Sequence, residues 1–261
     1  LGESPADAVG GRFRRRIGLR RDARREPDAG CGGGCTVKLL GLETSSAQGS
    51  VALKTPAGVV VRTIATPRQQ TEQILQLTHE LLCELGLTVA ELDGIAFGRG
   101  PGSFTGLRVS AAVAQGLAAV GNVPLLPVSS LLCLAERAVQ ELSSARALLC
   151  VDAHMGEVYW AEAESRAGIV GIIGAERLVS PRDVAPPSGA DWIAVGGGFA
   201  AHAADLAGVL QGAVGVFAAL QPSAEYLFPQ AERDLLAGRE VAPALALPVY
   251  LREHTAWKRS S

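Results

Sequence analysis

Long uninterrupted apolar stretches are missing from this chain. The first 37 residues contain nothing like a signal-peptide core, and no later run reaches 18 apolar residues without a charged or polar break. Neither secretion nor a membrane span is expected; a soluble cytoplasmic protein is. Charge is sparse too: 19% of 261 residues, a net charge of −2 and a pI near 6.1. That balance excludes a broad basic face for nucleic acid, because each phosphate contact needs its own Lys or Arg. Any role on RNA is expected to be indirect. The five cysteines, Cys31, Cys35, Cys83, Cys133 and Cys150, form no even-numbered framework, so reduced thiols are expected. Cys150 ends an apolar strand and reads as core. The four histidines, His79, His154, His202 and His254, include no pair spaced to grip one metal from a helix, and HExxH does not occur. A metallohydrolase is not expected, and no metal site is assigned. Nor is there a G-x-S-x-G elbow, since Ser103 in GPGSFTG lies one residue out of frame.

What is present is a globular composition, with 48% hydrophobic residues and 31 glycines, in a length that allows one large domain or two compact ones. Residues 1–36 stand apart: eight arginines against five acids give them +3, and apolar periodicity is absent. They are expected to be a disordered basic leader. CGGGC within them lacks a second Cys/His pair at zinc-finger spacing.

From Val37 the chain turns β-rich. VKLLGLETSS, AQGSVALKT and GVVVRTIAT read as an antiparallel meander. A helix is expected over Thr71–Leu85, with Ile74, Leu77, Leu81, Leu82 and Leu85 on one face and Gln73, Gln76, Glu80 and Glu84 on the other. A strand at Gly94–Phe97, a helix over Phe104–Ala119, a strand at Pro124–Val128 and a helix after Ser129 and Ser130 follow. A second set runs from Arg146 through ALLCVDA, EVYWAEAE and GIVGIIGAERLV to a buried strand in DWIAVGGGF. Ser223–Gly238 reads as a last helix lined by Leu227, Phe228, Leu235 and Leu236 despite Pro229. Two meander-plus-helix halves, 37–143 and 144–261, predict a duplicated α/β architecture.

Chemistry concentrates in FGRGPGSFTGLR. Gly98, Gly100 and Gly102 permit torsions and approaches that a side chain forbids, Ser103 or Thr105 can cap the helix, and Gly106 follows. A helix start of this kind suits an anion. It is not a Walker loop, lacking Gly-Lys-Ser/Thr, and Thr105 stands where the third glycine of a dinucleotide fingerprint would fall. An anion cradle and a tight structural turn both remain open. Glu43, Thr44 and Ser45 end the first strand, where they could orient a bound phosphate or simply satisfy a turn. Gly196–Gly198 and the Asp152/Glu157 pair are lesser candidates, the pair expected to face water.

LLGLETSS, IAFGRGPGSFTGLRVSAAVAQGLA, PVSSLLCLA, VDAHMGEVYWAE and PVYLREHTAWKR together make the chain resemble the bacterial TsaB (YeaZ) family over most of Lys38–Arg259. The resemblance implies a duplicated actin-like (ASKHA, ribonuclease H-like) two-lobe fold. It also implies a non-catalytic subunit that pairs with TsaD, with the ATPase TsaE joining, so that a threonylcarbamoyl group reaches adenosine 37 of tRNA. The tRNA would be met through the complex, a homodimer of the free chain is compatible with exposed partner helices, and peptidase chemistry is not expected. No cofactor is required. Weak ATP or ADP binding, at a vestigial site of Glu43, Thr44, Ser45, Gly100, Gly102, Ser103, Thr105 and Gly106, is the most it implies. The partner helices match Thr71–Leu85 and Phe104–Ala119, with Gln73, Ile74, Leu77, Leu81, Leu107, Ala111 and Ala114 as partner-facing candidates and the small residues Ala111, Ala112, Ala114, Gly116 and Ala118 allowing close approach. An ASKHA-type ATPase or kinase acting alone is the alternative.

The chain departs from the pattern in three places. Glu43 stands where many members have Asp, Gln70 where many have His, and residues 1–36 have no counterpart, so that Val37 is expected to be the initiating codon.

Overall fold

The structure is a computed structural model that describes residues 37–64, 66 and 69–252. The expectations about the leader, Cys31, Cys35, His254 and the end of the C-terminal motif lie outside these residues.

The first sheet holds β1 (Leu39–Glu43), β2 (Gly49–Thr55), β3 (Gly58–Ile64), β4 (Gly94–Gly98) and β5 (Leu125–Val128) in the order β3-β2-β1-β4-β5. β1 to β3 form the expected meander, and β4 and β5 add in parallel to β1. Strand β1 is central, which is why every residue of LLGLE is buried instead of alternating. Side-chain alternation then assigns faces. Leu40, Leu42, Val51, Leu53, Ile95 and Phe97 meet α1 (Gln70–Glu84) and α2 (Phe104–Gly121). Leu39, Ala52 and Ala96 face the other way.

The second sheet repeats the pattern. β6 (Arg146–Asp152), β7 (Val158–Arg166) and β8 (Ile169–Val179) form the meander, β9 (Trp192–Val195) lies parallel to β6 and β10 (Ala213–Phe217) parallel to β9, in the order β10-β9-β6-β7-β8. Both sheets therefore share one topology, and the predicted duplication is present strand for strand. The short helices α4 (Gly198–Ala201) and α5 (Ala207–Leu210) join β9 to β10.

Two helices are exchanged across the expected 143/144 boundary. α3 (Ser130–Leu142), from the first half, packs Leu131, Leu134, Ala135 and Ala138 onto Ala147, Leu149 and Ala161 of the second sheet. α6 (Phe228–Leu236), from the second half, packs Phe228 and Ala231 with Ala224 and Leu227 onto Leu39, Ala96 and Leu126 of the first. Each sheet thus needs the other half of the chain to cover one face. The segment after α6 first runs along the first lobe, where Val241 pairs with Leu125 and Val249 N donates to Arg99 O at 2.8 Å, and then reaches the second through Arg252, which donates to Ala153 O at 3.1 Å.

Other local readings shift slightly. α2 runs on to Gly121 and stops where Asn122 turns left-handed at φ 53°. Pro229 sits in the first turn of α6, where it costs no backbone hydrogen bond, and Leu236 is exposed rather than lining the helix. No helix among the described residues is long and apolar enough to cross a membrane.

Candidate functional site

Between the lobes lies a cleft of about 1040 Å³. From the first lobe Ser45, Gly102, Ser103, Thr105 and Phe104 line it, and from the second Asp152, His154, Tyr159 and Gly197; Tyr250 and Arg252 close one side.

The glycine loop is filled by the chain's own backbone. Ser103 N donates to Ser45 O at 2.7 Å, and Thr44 Oγ1 donates to Gly106 O at 2.7 Å. A Cβ at Gly106 would sit 1.8 Å from Thr44 O, one at Gly102 2.4 Å from Ser45 O and one at Gly98 2.1 Å from Glu43 Oε2. The glycines let the β1–β2 hairpin press against the start of α2. Ser103 caps that helix, its Oγ accepting from Gly106 N at 3.3 Å. Of the eight residues proposed for a vestigial nucleotide site, Ser45, Gly102, Ser103 and Thr105 reach the cleft. Glu43 and Thr44 are fully buried and do not line it, Gly100 packs on Leu107 and Val249, and Gly106 is under Thr44.

Glu43 ends β1, and its carboxyl accepts from Ser45 N at 2.6 Å and from Ser130 Oγ at 3.1 Å. Burial pushes this carboxyl above the ordinary carboxylate range, although both hydrogen bonds pull it down. The folded state then keeps its proton to higher pH than the unfolded chain, so stability falls as pH rises from the unfolded value towards the folded one and is flat above it. Glu43→Gln keeps both contacts without the charge, because Ser130 Oγ can accept where it now donates. The variant is expected to be at least as stable as the parent at pH 8 and to lose this part of the pH slope, as urea titrations at pH 5 and pH 8 would register. A parent that is the more stable of the two at pH 8 would contradict it.

Asp152 ends β6, the position in the second sheet that Glu43 holds in the first. It does not simply face water as expected. Oδ1 lies 3.2 Å from His202 Nε2, and Oδ2 lies 3.2 Å from His154 Nδ1. Burial opposes its ionisation, but the His154 amide, the His202 ring and the charges of the two histidines outweigh it and hold the acid below its usual range. Glu157 pairs with Arg252 at 2.7 Å. Gly196 and Gly198 reproduce the close approach of the first lobe, here against Cys150, where Cβ atoms would fall 2.5 Å from the carbonyl and 2.4 Å from Sγ. Cys150 is core, its thiol pushed up to about 12 mainly by burial.

The partner-facing candidates require correction. Ile74, Leu81, Leu107, Ala111 and Ala114 are buried in the first lobe, and Gln73 and Leu77 are half-buried. The outer faces of α1 and α2 carry other residues: Leu75, Gln76 and His79 on the first, Arg108, Ala112, Gly116, Ala119 and Val120 on the second. Leu75 is 52% and Val120 86% exposed, and a Cβ added at Gly116 would meet nothing. Gln70, which stands where many members have His, makes a polar contact of its own: it is buried, and its Nε2 donates to Ser46 O at 2.9 Å. Sequence reasoning missed the aromatic rim, where Arg108 stacks on Phe104 at 3.8 Å from the ring centre and its Nε donates to Tyr250 Oη at 3.1 Å. Arg108 and Tyr250 are 142 positions apart, and no local pattern links them.

A family model described as "TsaD: tRNA N6-adenosine threonylcarbamoyltransferase" matches residues 44–241. The chain is 34% identical over 227 residues to the tRNA threonylcarbamoyladenosine biosynthesis protein TsaB of Escherichia coli, covering 85% of this chain and 98% of that one. To the TsaB of Haemophilus influenzae it is 30% identical over 230 residues, covering 85% and 96%. A solved structure described as YeaZ from Pseudomonas aeruginosa superposes with a TM-score of 0.77 at 38% identity, over 82% of this chain and all of that one.

Proposed function

The chain belongs to the TsaB (YeaZ) family, and on that premise we propose that it is the non-catalytic subunit that pairs with TsaD and TsaE in transfer of the threonylcarbamoyl group to N6 of adenosine 37 in tRNAs reading ANN codons. Its role is in tRNA threonylcarbamoyladenosine biosynthesis. The near full-length match to curated TsaB chains carries this reading.

The geometry supports the non-catalytic part. In an anion cradle the helix-start amides and glycine spaces are left for the ligand. Here the Thr44–Ser45 backbone fills the spaces beside Gly102 and Gly106 and Ser45 O takes the Ser103 amide, which favours a scaffold over an ATPase or kinase acting alone. In this reading TsaD performs the transfer, this chain needs no cofactor of its own and tRNA is met through the complex in the cytoplasm. The outer faces of α1 and α2 suit a helical partner: exposed Leu75 and Val120 offer apolar area, and Ala112, Gly116 and Ala119 let a second helix approach closely. Titration calorimetry of this chain into its cognate TsaD is expected to give a one-to-one complex. Absence of binding, with both proteins shown to be folded, would remove the scaffold reading.

A further inference from the structure

A second cavity, of about 650 Å³, shares no lining residue with the cleft. It lies where the end of β5 and the start of α3 meet β8, α6 and the C-terminal segment. Nothing in the proposed scaffold role uses it.

Two opposite charges line it and do not satisfy each other. Arg99 lines the cavity, and its Nε is buried with no hydrogen-bond partner. Glu176 also lines it and accepts from Ser129 Oγ, which leaves a carboxylate with unused acceptor capacity. Burial pushes this acid above its ordinary range, against the Ser129 hydrogen bond and the charge of Arg99, which both pull it down. Arg99 and Glu176 line the same cavity, yet form no ion pair among the described residues. The remaining carboxylate, Asp234, is already held by Arg239 at 2.7 Å and Gln230 at 2.8 Å.

The walls are apolar: Leu132, Val170, Ile172, Val249 and Leu251. Gly171 and Gly174 add open space, since a Cβ at either would meet nothing. A buried guanidinium donor without an acceptor is costly unless a ligand supplies one. A simple anion such as phosphate would satisfy Arg99 but face Glu176, and a simple cation would do the reverse. A molecule bearing both charges, with an apolar remainder, satisfies both groups and the walls.

We propose that this cavity binds an α-amino acid with an apolar side chain, its carboxylate on Arg99 and its ammonium on Glu176. The assignment is independent of the pairing with TsaD. It is tested by calorimetric titration of the full chain with L-leucine and L-phenylalanine, beside 4-methylpentanoate and 3-methylbutylamine, which each keep one of the leucine charges. At least one amino acid is expected to bind at a single site, with both singly charged analogues at least about tenfold weaker. Arg99→Gln is expected to weaken that binding by a similar factor, and so is Gly171→Leu, which puts an uncharged side chain at a lining position. Thermal melting of both variants should match the parent. No binding of either amino acid at millimolar concentration would overturn the proposal. So would 4-methylpentanoate binding as tightly as leucine, or unchanged affinity in the two folded variants.

Discussion

Gly106→Ala is expected to lower the stability of this protein by about 3 kcal/mol or more, a fall in melting temperature of roughly 6–12 °C. The added methyl would lie 1.8 Å from the carbonyl oxygen of Thr44, and that oxygen belongs to a backbone that cannot swing aside as a side chain would. To admit it, the β1–β2 hairpin must lift from α2. That move breaks the Thr44 hydroxyl bond to Gly106 O and the Ser103 amide bond to Ser45 O, and it disturbs Glu43, which is buried under the same turn. Gly116→Ala, ten residues along the same helix, is the control: its methyl meets nothing, and alanine is the better helix former by about 1 kcal/mol, so stability should hold or rise. Thermal and urea unfolding of the two variants read this directly. A cost under about 1 kcal/mol at Gly106 would mean that the hairpin is not seated in the glycine loop, and the space would again be open to a ligand.

The second large effect concerns pairing. Arginine placed at Ala112 or Gly116 is expected to weaken binding to TsaD by about 30-fold or more while leaving the melting curve of the free chain unchanged. Both positions are exposed, so the new side chain has room in the free protein and none between two closely packed helices. Ile74→Arg is expected to behave in the opposite way. Ile74 is fully buried against the first sheet, and an unpaired buried charge there should unfold the lobe before any partner is met. Equal affinities for parent and Ala112→Arg in calorimetry would move the partner surface elsewhere.

The contrast between Ile74 and Ala112 shows what the sequence could and could not disclose. The apolar stripe of α1 was legible as a stripe, because a 3.6-residue period places Ile74, Leu77 and Leu81 together. Whether that stripe met a sheet or a partner was not, since both uses demand the same residues. In α2, small residues occupy both sides, and only the structure separates buried Ala111 and Ala114 from exposed Ala112 and Gly116. The duplication was legible from two meanders. The exchange of α3 and α6 was not, because hydrophobic periodicity gives a helix an inner face without saying which sheet it covers. β10 was missed for a local reason: AVGVF is a five-residue edge strand broken by Gly215, with Val214 and Val216 turned outward. The family motifs carried the fold and the lineage, while the filling of the glycine loop by Thr44 and Ser45 needed contacts 62 residues apart.

The most direct test of the scaffold role is a reconstituted transfer reaction. Cognate TsaD, TsaE, a threonylcarbamoyl-AMP synthase, ATP, threonine, bicarbonate and tRNA are combined with and without this chain, and the modified nucleoside is scored by mass spectrometry. Modification is expected only when the chain is present, with no ATP hydrolysis by the chain alone. Full modification in its absence, or ATP turnover by the isolated chain, would contradict the account.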